Sequence, residues 1–338
     1  MRFLFSCLFL TLMIFPTQAL VVLQYHHISA DTPPITSVSP EQFKAHMDLI
    51  AELKLEVVDL EQTTRKVLAG EPVPDNAVAI SFDDAYYSIY EHAMPELQKR
   101  GWPFTVFINT QAVDEKNKLI MGWQQIQDME KAGITLANHS VSHAHLTDIP
   151  ANMSVEQWLE KEVFTAQRRL EKKIPKVSKM LAYPYGEFNL EIADKLIAAG
   201  YLAFGQQSGP IGEFSHPAAL PRFPASGIYA NLKTLKTKLR SKALPVAVEQ
   251  FVSPLAVQQQ NPPQLTFDFP IDDIRWQQIQ CFASGAGAID TQVEKKDDRA
   301  FVTTQAQAAL TGKRSRYNCT APAKSGGYYW YSQPWQRF

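Results

Sequence analysis

Between residues 20 and 222 short apolar runs alternate with capped amphipathic segments, and a chain with that alternation has few architectures open to it. Leu20-Val21-Val22-Leu23-Gln24-Tyr25 reads as a buried strand. Ser39-Pro40-Glu41-Gln42 then offers an N-cap, a proline at the first helical position and a capping-box glutamine, so a helix is expected to about Leu53. Further strands are expected at 55–60, 77–82, 104–109, 135–138, 179–183 and 201–205, with a short run ending at Pro221-Arg222. Helices fall between them at 61–69, 91–100 and 123–132, ended by Gly70, Gly101 and Gly133, and a long one runs from Ser154 to about Lys173. About eight strands alternating with helices mark a parallel α/β fold, and the count favours a (β/α) barrel over an open sheet.

The rhythm stops at Val257-Gln258-Gln259-Gln260-Asn261-Pro262-Pro263, a polar, proline-bearing linker and an expected domain boundary. This makes 20–257 the α/β domain. Beyond the linker, Gln264–Phe269, Trp276–Phe282, Ala300–Thr304 and Gly327–Tyr331 read as short strands between turns, so 264–338 is expected to form a small all-β, sandwich-like domain. A module of that size gains from a covalent staple, which Cys281 and Cys319 can supply.

That pairing presumes an oxidising compartment, and the first residues point to one. Met1-Arg2, the apolar run Phe3–Phe15 and Pro16-Thr17-Gln18-Ala19 read as a signal peptide over 1–19, cleaved after Ala19, which implies a periplasmic or secreted protein. The apolar run is shorter than the roughly 20 residues of a spanning helix, so no transmembrane segment is expected after cleavage. Cys7 would leave with the signal. With 33 Lys and Arg against 34 Asp and Glu in 338 residues, the net charge is −1, and nothing electrostatic points to nucleic acid as a partner.

Chemistry gathers at the ends of the expected strands. Ser81-Phe82-Asp83-Asp84-Ala85 places two carboxylates side by side where an apolar strand runs out. Such a pair raises one pKa unless a cation or a proton-transfer task absorbs the charge; the plainer reading is an Asx turn that caps the next helix. His139-Ser140-Val141-Ser142-His143 also follows a short strand. Two imidazoles four apart can share one face of a turn, and with a carboxylate they make three N/O ligands that leave metal positions open. His26, Asp83, Asp84, His139 and Tyr185 all fall at strand carboxyl ends, where parallel α/β folds collect reactive groups.

With Ser-Phe-Asp-Asp at 81–84, His-Ser-Val-Ser-His at 139–143 and Leu181-Ala182-Tyr183-Pro184-Tyr185-Gly186, the sequence resembles the polysaccharide deacetylases, carbohydrate esterase family 4. The resemblance implies a distorted (β/α) barrel and hydrolysis of N-acetyl groups on an acetylated polysaccharide. It also implies one divalent metal ion, with Zn the first choice and Co, Ni or Fe as alternatives. Carried over by motif, Asp84, His139 and His143 are the ligands, Asp83 is the catalytic base, and the backbone N–H of Tyr185 completes the oxyanion site. Where many members carry an arginine this chain has Ala182-Tyr183, and Arg222 is the candidate to orient Asp83. Leu23-Gln24-Tyr25-His26-His27 resembles the circularly permuted branch that deacetylates biofilm poly-N-acetylglucosamine. That match makes His26 the acid and His27 a supporting residue.

His46, His92, His145 and His216 read as ordinary surface or loop histidines. The C-terminal segment does not resemble the extra domains of that branch, and Tyr328-Tyr329-Trp330-Tyr331 with Trp335 can either stack sugars or fill a core. Two further readings stay open: an inactive barrel that binds glycan for matrix assembly, and a deacetylase of another glycan such as xylan.

Overall fold

The parallel strands of this computed structural model, which describes residues 19–337, are β1 (Ala19–Tyr25), β2 (Ala77–Phe82), β3 (Thr105–Ile108), β4 (Thr135–Asn138), β5 (Met180–Ala182) and β6 (Leu202–Phe204). Each pairs with the next in chain order. The ring closes through an irregular segment. Gly205 N donates to Leu220 O and Leu220 N to Ala203 O, both at 2.9 Å, while β7 (Phe223–Pro224) lies parallel to β1. Seven strand positions therefore surround the barrel, and the last is a two-residue strand that joins β6 to β1 through its neighbours.

The missing member lies at 55–60. Only Glu56–Val57 pairs there, at the edge of β2, and Leu60 already opens a helix. Asp59 is the reason: its side chain accepts from Gln62 N at 2.8 Å and starts the helix Leu60–Leu68 earlier than the apolar pattern suggests. The helix Pro40–Glu52 begins with the full capping box at Ser39 and Gln42.

A period of two sorts the strand residues between inside and outside. Val21, Leu23 and Tyr25 of β1 and Val78, Ile80 and Phe82 of β2 pack outward with Phe43, Met47, Leu97 and Ile126 of the surrounding helices. Leu20, Val22, Ala79, Phe107, Ala137, Ala182 and Phe204 fill the interior. Gln24, Ser81 and Asp83 continue the inward parity and bring polar atoms to the carboxyl ends of the strands.

The C-terminal strands form two facing sheets. One holds β8 (Gln264–Pro270) with Asp290–Lys296 and Arg299–Gln305, and the other holds Gln280–Ala283, Arg314–Pro322 and Tyr328–Gln336. Phe267, Phe269, Val302, Tyr317 and Trp335 pack between them. The expected strand at 276–282 starts later, because Trp276–Gln278 is a 3₁₀ turn. Two strands that lacked an apolar pattern, Asp290–Lys296 and Arg314–Pro322, are present; apart from Gln292 their exposed positions carry charge. Lys242–Ala243 pairs with Tyr329-Trp330, so a piece of chain before the linker adds an edge to this second unit. Cys281 and Cys319 stand opposite one another on neighbouring strands and form a disulfide. The expected signal segment, with Cys7, lies outside the described residues except for Ala19, which opens β1. No helix among the described residues is long and apolar enough to cross a membrane.

Candidate active site

Two loops at the strand ends are held in conformations that side chains resist. Asp83 N still donates to Tyr25 O at 3.0 Å, and the chain then turns through Asp84 (φ 70°) and Ala85 (φ 55°). In the histidine loop Ser140 (φ 68°) and His143 (φ 58°) are also left-handed, as is Tyr185 (φ 60°) after β5. Each such residue costs on the order of 1–3 kcal/mol, so its surroundings must enforce it. Here they do. Ser140 N donates to Asn138 Oδ1 at 2.8 Å and His143 N to Ser140 Oγ at 3.0 Å, while Ser142 N and Oγ both donate to Glu162 Oε2. Gly186 could carry no side chain, since a Cβ would lie 2.7 Å from Gln206 N.

These turns aim three donors at one point. Asp84 Oδ1 lies 3.4 Å from His139 Nε2 and 3.4 Å from His143 Nε2, and one ligand atom from each residue falls within 4.8 Å of the others. Such separations are long for hydrogen bonds. They match the edge of a tetrahedron with metal–ligand bonds of about 2.1 Å, whose edge is roughly 3.4 Å. His139 is fully buried, and its Nδ1, 2.7 Å from Ala182 O, donates there and leaves the Nε2 lone pair facing the cluster. Asn109 Nδ2 donates to Asp84 Oδ1 at 3.3 Å.

The charges are consistent with a cation site. Burial opposes ionisation of Asp84, yet the hydrogen bond and charge of His139 hold its carboxyl well below the usual range. His139 is raised, Asp84 outweighing burial, and His143 is pushed down to about 4 by burial and by His139. The donor set of one carboxylate and two imidazoles fits a divalent ion of the Zn, Co, Ni or Fe kind.

Asp83 belongs to a second set. Burial opposes its charge too, but Arg222 prevails and brings its pKa down to about 2. Arg222 grips both oxygens, Nη1 to Oδ1 at 2.7 Å and Nη2 to Oδ2 at 2.9 Å, and its Nε donates to Gly205 O at 3.1 Å. Gln24 Nε2 adds a bond to Oδ2 at 2.7 Å, and His26 Nε2 stands 3.9 Å from that same oxygen.

Asp84 and His143 of the first set and Gln24 and His26 of the second border a cleft of about 600 Å³. His26, Asp84, Tyr86, His143 and Tyr185 line it from the barrel, and Arg314, Arg316 and Trp335 line it from the C-terminal unit. A more apolar cavity of about 280 Å³, between Val67, Phe251 and Trp330, holds none of the clustered groups. The structure thus brings Asp83, Asp84, His26, His139, His143, Tyr185 and Arg222 together. His27 is buried beside them, stacked on Tyr86 at 3.5 Å.

Two of the histidines read as ordinary are not. His145 stacks on Tyr185 with ring centroids 4.0 Å apart and bonds Glu187 Oε2 at 2.5 Å, which places it in the wall of the site. His46 is buried in its helix, 3.0 Å from Tyr25 Oη and 2.7 Å from Ala230 O. Of the aromatic residues near the end, Tyr329 and Trp335 are buried core, Trp330 packs edge-on to Phe223, and only Tyr328 is exposed.

Sequence reasoning passed over Gln24, Asn109, Glu187 and Arg314. Gln24 had a usable signal, being the one polar residue in an apolar strand. Arg314 had none, because its place at the cleft depends on how the C-terminal unit docks.

The family model for polysaccharide deacetylases matches residues 70–204. A putative polysaccharide deacetylase, YxkH of Bacillus subtilis, is 24% identical over 211 residues, 62% of this chain and 69% of that protein. The poly-beta-1,6-N-acetyl-D-glucosamine N-deacetylase of Escherichia coli K12 is 21% identical over 332 residues, covering 87% of this chain. The match spans only 46% of that relative's length. Among solved structures, IcaB from Ammonifex degensii superposes with a TM-score of 0.58 at 21% identity, over 66% of this chain and 97% of that one.

Proposed function

Because the chain belongs to the polysaccharide deacetylase family, with 70–204 as its matched segment, we propose that it removes N-acetyl groups from a polysaccharide of β-linked N-acetylglucosamine, as the names of its relatives suggest. The observation that carries this reading is the Asp84–His139–His143 cluster, which reaches the cleft through Asp84 and His143, beside the buried Asp83–Arg222 pair, whose neighbours Gln24 and His26 line the same cleft. Asp84, His139 and His143 would hold the metal. A divalent ion held there acidifies the attacking water and polarises the acetyl carbonyl.

The remaining steps fall to the chain's own groups. Asp83 takes a proton from the water as its oxygen attacks the acetyl carbon. Arg222 and Gln24 keep that carboxylate ionised and oriented, so it is always an acceptor, and its low basicity suffices only for an acidified water. The oxyanion receives the N–H of Tyr185. His26 then gives a proton to the sugar nitrogen while the C–N bond breaks, leaving acetate and a free amine. We place this activity outside the cytoplasm, in line with the segment 1–19, and assign the barrel to 20–257 and the sandwich to 264–338. Acetate release from N-acetylglucosamine oligomers, with and without a chelator, tests the proposal. No release from any acetylated glycan in the metal-loaded protein would remove it.

A further inference from the structure

The C-terminal sandwich brings unspent positive charge to the cleft. Arg316 is partly buried, and its Nη1 donates to Gln206 O at 2.8 Å, which occupies one of its five N–H donors. No carboxylate among the described residues forms an ion pair with it. Its neighbours are cations instead. Arg314, two residues away on the same strand face, has Glu187 Oε1 at 3.7 Å, a carboxylate it shares with His145. Lys238 is buried with its ammonium 4.9 Å from the Tyr229 ring centroid and 3.2 Å from Pro224 O. Burial, and after it the charge of Arg316, pushes Lys238 down to about 8.

Partly buried guanidinium without a counter-charge is unfavourable, and the protein has placed it in the wall of the cleft that holds Asp84 and His143. Ser226 and Trp335 are also among the residues that line that cleft, and behind its surface Ser226 Oγ and Trp335 Nε1 are buried without a hydrogen-bond partner in the protein. Donors gather here, and acceptors are what they lack.

We propose that Arg316, with Arg314 and Ser226, forms a subsite for an anionic substituent of the glycan, a carboxylate on a sugar next to the N-acetylglucosamine being deacetylated. The inference rests on the deacetylase reading of the cleft and narrows its substrate to an N-acetylglucosamine polymer that also carries acidic sugars. A planar guanidinium matches a carboxylate with two parallel bonds, and in a partly desolvated wall that match discriminates against a neutral sugar, which leaves the charge unmet. The sandwich is then a specificity element that completes the site.

Binding separates this proposal from the reaction. Calorimetric titration of the full chain would compare an oligosaccharide alternating N-acetylglucosamine with a uronic acid against a neutral N-acetylglucosamine oligomer of equal length. The acidic glycan is expected to bind about tenfold tighter or more at low salt, the preference shrinking as salt rises. Arg316→Gln should erase the preference and leave the neutral affinity unchanged. Arg316→Lys, which keeps the charge and a donor for Gln206, should retain part of it. Equal affinities in the native protein, or a preference that survives Arg316→Gln, would overturn the subsite. So would parallel loss of both affinities in Arg316→Gln, which would make Arg316 a docking strut. Acetate release from the neutral oligomer, measured separately, reports on the deacetylase reading alone.

Discussion

Arg222 and Asp83, 139 residues apart in the chain, face each other with both guanidinium nitrogens on both carboxylate oxygens at 2.7 and 2.9 Å, and neither side chain is exposed. The pair ties the segment that closes the barrel to the end of β2. Structure and chemistry therefore share one contact.

Removing one partner should be costly. Arg222→Met strands a buried carboxylate and is expected to lower stability by about 3–5 kcal/mol, while Asp83→Asn with Arg222→Met should recover part of that loss. Urea unfolding of the single and double variants measures both, and additivity would deny the coupling. Asp83→Asn alone should keep the metal and lose about 10²–10⁴-fold in kcat, because an amide accepts no proton from water. Near-normal acetate release would exclude Asp83 as the base.

Metal content offers a direct check on the cluster. Asp84→Ala, His139→Ala and His143→Ala are each expected to lose bound metal and activity together, since three ligands leave little redundancy. Elemental analysis of the purified variants decides the matter. Full stoichiometry in the two histidine variants would remove the ligand assignment.

His26 can be tested through the leaving group. It borders the cleft with its Nε2 3.9 Å from Asp83 Oδ2, and an amine anion departs only with a proton. His26→Ala should retain metal and lose about 10²–10⁴-fold in kcat on an amide, with a much smaller loss on an aryl acetate. Equal losses on both substrates would move the acid's role elsewhere, with His27 the first candidate.

The Cys281–Cys319 bridge closes a loop of 38 residues in the C-terminal sandwich. In the chain-entropy account its removal by paired Cys→Ser substitution should cost roughly 3–4 kcal/mol of that unit's stability. Denaturation followed by the fluorescence of Trp276 and Trp335 would show the change. A loss below about 1 kcal/mol would mean that the sheet pairing holds without the staple.

Much of this protein was legible along the chain because the relevant physics is local. The alternation of apolar runs with capped helices specifies a parallel α/β fold, since strand and helix periods depend on neighbours a few residues away. The same holds for Asp83-Asp84 and for His139 with His143: each stands next to a strand end, so its position on the rim follows from the strand. What tertiary structure alone decided is everything that depends on pairing across long separations. A short run ending at Pro221-Arg222 was legible, but the hydrogen bonds by which 220–224 closes the barrel onto β6 and β1 depend on partners that no local pattern names. His145 joins the wall of the site only because Tyr185 and Glu187 meet it there. Arg314 and Arg316 lie in a strand with an unremarkable charged face, and their nearness to Tyr185 and Gln206 comes from how a second unit packs onto the first. A sequence reports which residues a segment presents; which other surface receives them is set by the free energy of the whole packed chain.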